Sequence, residues 1–199
     1  MIGAIKYNFR HLADFSGRQA RQPFWFWVLF LVILQFVVGL LSAIPMYIAL
    51  FQQGFDTARN AGSEDAVRET MMTGMGEAMS ANLGTQVWIG AILALVTAAL
   101  FLAAFVRRLH DGGFSGLIAA IPLATQIFAA FYAVATMDAM LEATLASLEP
   151  GQAANAYALQ QEAAPYGWVG YIGYLVVIVF GVWPTKRGAN RYGEEPHRD

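Results

Sequence analysis

The chain has 199 residues, 57% of them hydrophobic and only 13% charged, with a mean hydropathy of +0.47. Soluble domains carry about 25% charged residues, so this composition excludes an ordinary water-facing surface and leaves a lipid-facing one. Cysteine is absent, which excludes disulfides, iron–sulfur ligation and thiol nucleophiles, and the net charge of −2 averages over a strong asymmetry along the chain.

In chain order, Ile2, Ile5, Phe9 and Leu12 recur at helical spacing with Lys6 and Arg10 beside them. That pattern predicts an interfacial helix lying on the inner leaflet, its cations near anionic headgroups. The first 23 residues lack the form of a secretory signal, because the basic part is too long and the apolar run behind it exceeds a signal core. A bilayer core of about 30 Å requires roughly 20 apolar helical residues. Stretches at about 24–51, 86–106, 115–137 and 166–183 approach or exceed that length. A chain of this size cannot bury four all-round apolar helices in a soluble core, so all four are read as spans.

Local signals agree with these bounds. Pro23 suits a first helical turn, where its missing N–H costs nothing. Ser115 is placed to cap the third span, and Pro184 stops the fourth behind Trp183. Pro45 marks a kink or the membrane exit of the long first run. Trp25, Trp27, Trp88, Trp168, Trp183, Tyr166 and Tyr171 sit near span ends, as headgroup anchors do.

The outer loops 52–85 and 138–165 are rich in Ala, Met, Glu and Gln, which predicts helical extensions or a small helical cap broken at Pro150-Gly151. Met71, Met72, Met75 and Met79 share one helical face; Met137, Met140, Leu141, Leu145 and Leu148 form another. Thioether clusters bind copper(I), but no His or Cys lies near, so packing between the two loops is the expectation and no metal or cofactor is implied. Gly167, Gly170 and Gly173, with Ala91, Ala94, Ala98 and Ala99, suit close helix approach. Polar residues within the spans are chiefly Gln35, Thr97, Thr125 and Gln126. No ionisable residue marks an ion pathway there.

Ten of the twelve Lys and Arg residues fall in 1–23, 107–114 and 184–199, whereas nine of fourteen acids fall in 52–85 and 138–165. The positive-inside rule then puts both termini and 107–114 in the cytoplasm. An even number of spans is required for that, and four is even.

Three polar motifs lie on this basic side: Phe15-Ser-Gly-Arg-Gln-Ala-Arg21 before Phe24-Trp25, Arg107-Arg-Leu-His-Asp-Gly-Gly-Phe-Ser-Gly116, and Gly188-Ala-Asn-Arg-Tyr-Gly-Glu-Glu-Pro196. In order and in placement against the spans, they resemble the domain of unknown function 805 (YhaH-like) family of bacterial inner-membrane proteins. The resemblance covers nearly the whole chain and implies an inner-membrane location; it supplies no activity. Pro23 stands where that family often has Glu, Phe114 where a basic residue is common, Leu117 where Trp is usual and Glu195 where Asp or Asn is usual. The loops 52–85 and 138–165 are also longer than the family's, and no charged site at positions 23 or 114 carries over.

His110 and Asp111 form the chain's one adjacent acid–base pair, suited to general acid/base work. They are weak catalytic candidates, because no nucleophile or metal triad accompanies them and the other histidines are His11 and His197. The residues favour a structural pairing of Asp111 with an arginine. Arg18, Arg21, Arg107, Arg108, His110, Asp111, Asn190 and Arg191 are the candidate ligand-binding set, with Lys186 and Arg187 beside them. Guanidinium forks there would suit phosphate or carboxylate. Interleaved Gly, Ser and Asn residues exceed what orientation alone requires.

The expectation is therefore an all-α, polytopic four-helix transmembrane bundle with an N-terminal interfacial helix and helical outer loops, one domain of 1–199. Its function is expected to be non-enzymatic and to lie in a basic cytoplasmic face that binds anionic lipid headgroups or a partner protein. Membrane lipids, a membrane-protein partner or a second copy are the expected partners; no nucleic-acid motif accompanies the charges. A lipid-headgroup enzyme using His110 and Asp111, and a small transporter subunit, are the alternatives.

Overall fold

The computed structural model describes residues 1–60, 64–148, 151–163 and 165–196. All regular elements of any length among them are helices: α1 Ile2–Arg10, α2 Arg21–Asn60, α3 Glu64–Asp111, α4 Ala120–Ala135, α5 Met137–Leu148, α6 Ala153–Ala163 and α7 Val169–Val182. A short 3-10 turn, Gly116–Ala119, leads into α4, and Ser115 caps it by accepting from the Leu117 N–H. Three described helices are long and apolar enough to cross a membrane; α7, with 14 residues, is shorter.

The helices run well past the expected spans. Helix α2 continues through Pro45 to Asn60, and α3 already begins at Glu64, so most of 52–85 is helical extension. The reason is composition: Ala, Met, Glu and Gln sustain a helix once nucleated. The stretch 138–165 forms α5 and α6; between them Gly151 takes a left-handed φ of +83°, while Pro150 lies outside the described residues.

The chain divides into two units. The first comprises Met1–Val37, Ile92–Phe131 and Gly167–Asp199. Its core is Phe24, Trp27 and Leu31 of α2, Ala104, Phe105, Val106 and Leu109 of α3, and Ala119. Val176, Val177 and Phe180 of α7 pack on this core, as do Ile5 and Leu12. Thus α1 turns part of its apolar stripe toward protein: Phe9 meets Trp27 and Phe30 edge-on, and Asn8 is buried. Ile2 remains exposed. Away from the core, Leu29, Val32, Ile33 and Phe36 of α2 and Leu117 and Phe131 also face outward, a surface suited to lipid rather than water.

The second unit comprises Val38–Ala91 and Tyr132–Tyr166. The Ser42 hydroxyl donates to Gln86 Oε1 at 2.9 Å, and the Gln86 amide donates to Ser42 O, joining α2 to α3. Met71, Met72 and Met75 line a small cavity with Leu50, Gln53 and Gly54 of α2. The methionines therefore pack first within their own hairpin. Contact with α5 comes through small residues, since a Cβ at Gly76 would lie 3.6 Å from Leu145 and one at Gly84 3.5 Å from the Met137 sulfur. Ala143 and Ala156 are buried in α5 and α6.

Candidate functional site

The three polar motifs converge in the first unit, where α3 ends. Gly113, at φ +84°, closes α3 in a Schellman arrangement: Phe114 N–H donates to Leu109 O at 2.9 Å and Gly113 N–H to His110 O at 3.0 Å. This turn leaves Arg107, Arg108 and Asp111 on the last helical turns, all buried.

The Asp111 carboxylate is the hub. Its Oδ1 accepts from Arg18 Nε at 3.2 Å and lies 3.1 Å from Arg18 Nη2. Its Oδ2 accepts from Arg108 Nη1 at 2.6 Å and from the Thr185 hydroxyl at 2.7 Å. Arg18 also donates to the carbonyls of Lys186 at 2.5 Å, Gly188 at 2.6 Å and Gly193 at 3.3 Å. Arg108 donates to Gly181 O at 3.1 Å and to Trp183 O, carbonyls at the end of α7 that no further turn of helix can satisfy. One carboxylate and two guanidinium forks thus tie residue 18, the end of α3, the end of α7 and the C-terminal motif together. A backbone bond from Lys186 N–H to Asp111 O, 3.0 Å, adds to this.

Arg107 points elsewhere. It donates to Asn8 Oδ1 at 2.9 Å, His11 O at 2.8 Å, Asp14 O and Gln19 Oε1 at 3.3 Å, while its guanidinium lies 5.5 Å from the Tyr7 ring. The Gln19 N–H returns a bond to Arg107 O at 3.0 Å. Arg107 therefore pins α1 and the following loop to α3. The Asp14 carboxylate is spent on the Ser16 hydroxyl and N–H, which hold its pKa below the usual value. Both ion pairs among the described residues end on Asp111. Two of the three buried guanidiniums, Arg18 and Arg108, thus share one buried carboxylate, and the third, Arg107, is held by amide and carbonyl oxygens.

His110 and Asp111 do not face one another. The imidazole stacks on Tyr192, with centroids 3.7 Å apart and planes 5° apart, and its Nδ1 lies 3.2 Å from Gly17 O, placing the proton on that nitrogen. On the other edge, a Cβ at Gly116 would come within 3.1 Å of Nε2. Asn190 donates to His110 O at 2.9 Å and accepts from Tyr192 N–H at 2.8 Å. Arg191 stands over Tyr192 at 4.6 Å and is exposed, as are Arg21, Lys186 and Arg187. His11 bonds Tyr7 O, and His197 lies outside the described residues. Among the described residues no three His, Cys, Asp or Glu side chains are placed to hold a metal.

The structure thus gathers Arg18, Arg107, Arg108, His110, Asp111 and Asn190, and leaves Arg21 and Arg191 at the surface. Asn8, Gln19 and Thr185 join the cluster although the motifs do not mark them as ligands. Asn8 carries a legible signal, a polar residue on the apolar stripe of α1; Thr185 carries none.

Comparison with curated proteins and with solved structures gives no match. A family model does match residues 12–194, a range that contains the whole Asp111 hub and nearly all of the three motifs. The chain belongs to the family described as "Protein of unknown function (DUF805)".

Proposed function

We propose that the chain is a non-enzymatic, four-span protein of the bacterial inner membrane whose cytoplasmic basic face binds anionic lipid headgroups. The observation that carries this reading is the division of labour among the cations. Arg18, Arg107 and Arg108 are buried in internal bonds, whereas Lys6, Arg10, Arg21, Lys186, Arg187 and Arg191 are all exposed in the same unit. Each exposed cation near an anionic leaflet contributes about 1 kcal/mol. Helix α7, about 21 Å long at 1.5 Å per residue, serves as the fourth span when flanked by Tyr166, Trp168 and Trp183 at headgroup depth.

Two further observations support the reading over its rivals. Asp111 is saturated by Arg18, Arg108 and Thr185, so it does not orient His110 for acid–base work. In the first unit, a cavity of about 160 Å³ among the apolar helices is lined chiefly by residues such as Val28, Phe101 and Leu123, with Gln35, Thr97, Gln126 and Tyr174 as its amide- and hydroxyl-bearing residues. It holds no Asp, Glu, Lys, Arg or His, unlike an ion path.

The test is lipid retention in nanodiscs of phosphatidylcholine mixed with phosphatidylglycerol. The combined Lys186→Ala, Arg187→Ala, Arg191→Ala variant is expected to lose the enrichment of phosphatidylglycerol around the protein while inserting normally. Equal enrichment in the variant and the parent would refute the proposal and favour a protein partner for this face.

A further inference from the structure

The cavity of about 160 Å³ lies among α2, α3, α4 and α7, and its lining residues all belong to the first unit. Leu31, Phe101, Phe105 and Val177 give it an apolar and aromatic wall. Val32 and Tyr174 also line it and are 54% and 53% exposed, so the cavity reaches the outer surface of these helices.

Four lining residues carry polar side chains, and they share a depth. Gln35, Thr97, Gln126 and Tyr174 each stand near the midpoint of one apolar stretch, 24–51, 86–106, 115–137 and 166–183 in turn. In the four-span reading this is the middle of the bilayer, where no water satisfies an amide. The Thr97 hydroxyl donates to Leu93 O at 2.6 Å within its own helix. The Gln35 and Gln126 amides bond to no partner among the described residues. Nor are they sealed in. The buried, unpartnered side-chain atoms among the described residues are Gln19 Nε2 and Thr57 Oγ1, whereas these two glutamines are half-buried and their amides keep open surface. An unpaired amide in hydrocarbon is costly, and here two of them, on α2 and α4, belong to the wall of one cavity.

Three properties set the class of ligand that would pair with them. No Asp, Glu, Lys, Arg or His lines the cavity, so the ligand is neutral. The volume is close to that of an apolar cavity of about 150 Å³ that takes up benzene, so one six-membered ring fits. The depth excludes a phospholipid's polar groups, which stay at the boundary of a core about 30 Å thick. A ring bearing carbonyl oxygens accepts hydrogen bonds from amides at its edge and meets aromatic side chains with its face.

We infer that this cavity binds the head ring of an isoprenoid quinone, with the Gln35 and Gln126 amide N–H groups donating to the ring carbonyls and the tail leaving past Val32 and Tyr174. The inference rests on the proposed four-span reading for the depth of the glutamines and takes nothing from the basic face.

The experiment titrates the purified full chain, in neutral detergent, with decyl-ubiquinone, reading the melting temperature. Decylbenzene, which has the ring and tail without the carbonyls, is the control. A saturable rise with the quinone and a smaller one with decylbenzene are expected. The double variant Gln35→Leu, Gln126→Leu keeps side-chain size and removes both amides. Its melting temperature without ligand is expected to be no lower than the parent's, and its quinone affinity to fall at least about ten-fold, the worth of one hydrogen bond. Ala98→Phe fills the cavity from its wall and is expected to abolish the rise, so the inference stays testable if the double variant disturbs folding. No saturable rise with the quinone, or parental affinity in both variants, overturns the inference. An equal rise with decylbenzene also overturns it, in favour of an acyl chain. So does a loss of oligomer in the double variant without any quinone response, in favour of a helix of a second copy. Failure of the basic-face proposal shows separately, in the nanodisc test, because Lys186, Arg187 and Arg191 lie outside this cavity. Failure of the four-span reading shows in the labelling of cysteines placed in the terminal and loop segments.

Discussion

Replacing Asp111 with asparagine changes almost nothing in shape and removes the single buried negative charge of the hub. The carboxylate is fully buried and takes bonds from Arg18, Arg108 and Thr185, two of them from guanidiniums at side-chain exposures of 1% and 0%. In the Asp111→Asn variant one oxygen becomes an NH2 group facing donors. If that group takes the Oδ2 position, the 2.6 Å bond from Arg108 becomes a donor–donor clash; if it takes Oδ1, the clash falls on Arg18. Removing one partner of a buried ion pair costs about 3–5 kcal/mol, because the remaining charge is stranded. Against a total stability of about 5–15 kcal/mol, that is a large fraction. The assay is denaturant unfolding in mild detergent followed by tryptophan fluorescence, for which buried Trp27 in the same unit is a reporter. Thr185→Val provides the scale, since it removes one hydrogen bond to the same carboxylate, worth about 1.5–3 kcal/mol for a charged acceptor. Asp111→Asn is expected to destabilise more than Thr185→Val. A change below about 0.5 kcal/mol, the range of ordinary surface substitutions, would refute the claim that this carboxylate holds the segments together.

Two further outcomes follow from the same geometry. Arg107→Lys keeps the charge but loses the fork that reaches Asn8, His11, Asp14 and Gln19 at once, so hydrogen exchange across 2–14 is expected to rise with little change in the α7 region. Unchanged exchange in α1 would mean that Ile5, Phe9 and Leu12 suffice to dock it. For the topology, the absence of native cysteine allows single-cysteine labelling: Ser16→Cys is expected to react with a membrane-impermeant maleimide only after the membrane is opened, and Ser80→Cys in intact spheroplasts. The reverse pattern would invert the orientation read from loop charge.

The helices are legible in the sequence because their cause is local. Apolar runs of about twenty residues, helix-forming Ala, Met and Glu between them, and Pro and Gly at the breaks act within a few turns. Helix length is less so. Loss of hydropathy marks where a membrane core ends, not where a helix ends, and α2 and α3 both run on through polar residues that are themselves good helix formers. The fate of α1 is half legible. Its stripe is visible, but a stripe does not say whether Ile5 and Leu12 meet lipid or, as here, the core of α2 and α3. The site shows the same limit. Arg108 and Asp111 are three residues apart, a spacing that puts them on one helical face. Yet most acceptors of the arginines are backbone carbonyls, at Lys186, Gly188, Gly181, Trp183, His11 and Asp14, and a carbonyl has no residue-type signature. Adjacent Arg107 and Arg108 thus serve opposite ends of the chain, and His110 beside them turns to Tyr192.

That reliance on carbonyls bears on function. A clamp built to hold helix ends would be as strong, and cheaper in desolvation, if well-packed apolar side chains replaced the charges. A clamp of charges alone would balance them with carboxylates. Here Arg108, besides its pair with Asp111, caps the negative end of α7 through Gly181 and Trp183, and Arg107 caps α1 and its loop through His11 and Asp14. Dipoles satisfy the hydrogen bonds of a guanidinium without cancelling its net charge. The cluster therefore keeps a positive surplus inside a low-dielectric fold, where fields reach farther than in water. With Lys186, Arg187 and Arg191 exposed on the segment that Arg18 ties down, that surplus adds to the surface cations rather than opposing them. Holding helix ends does not require the surplus, and the proposed headgroup-binding face would use it.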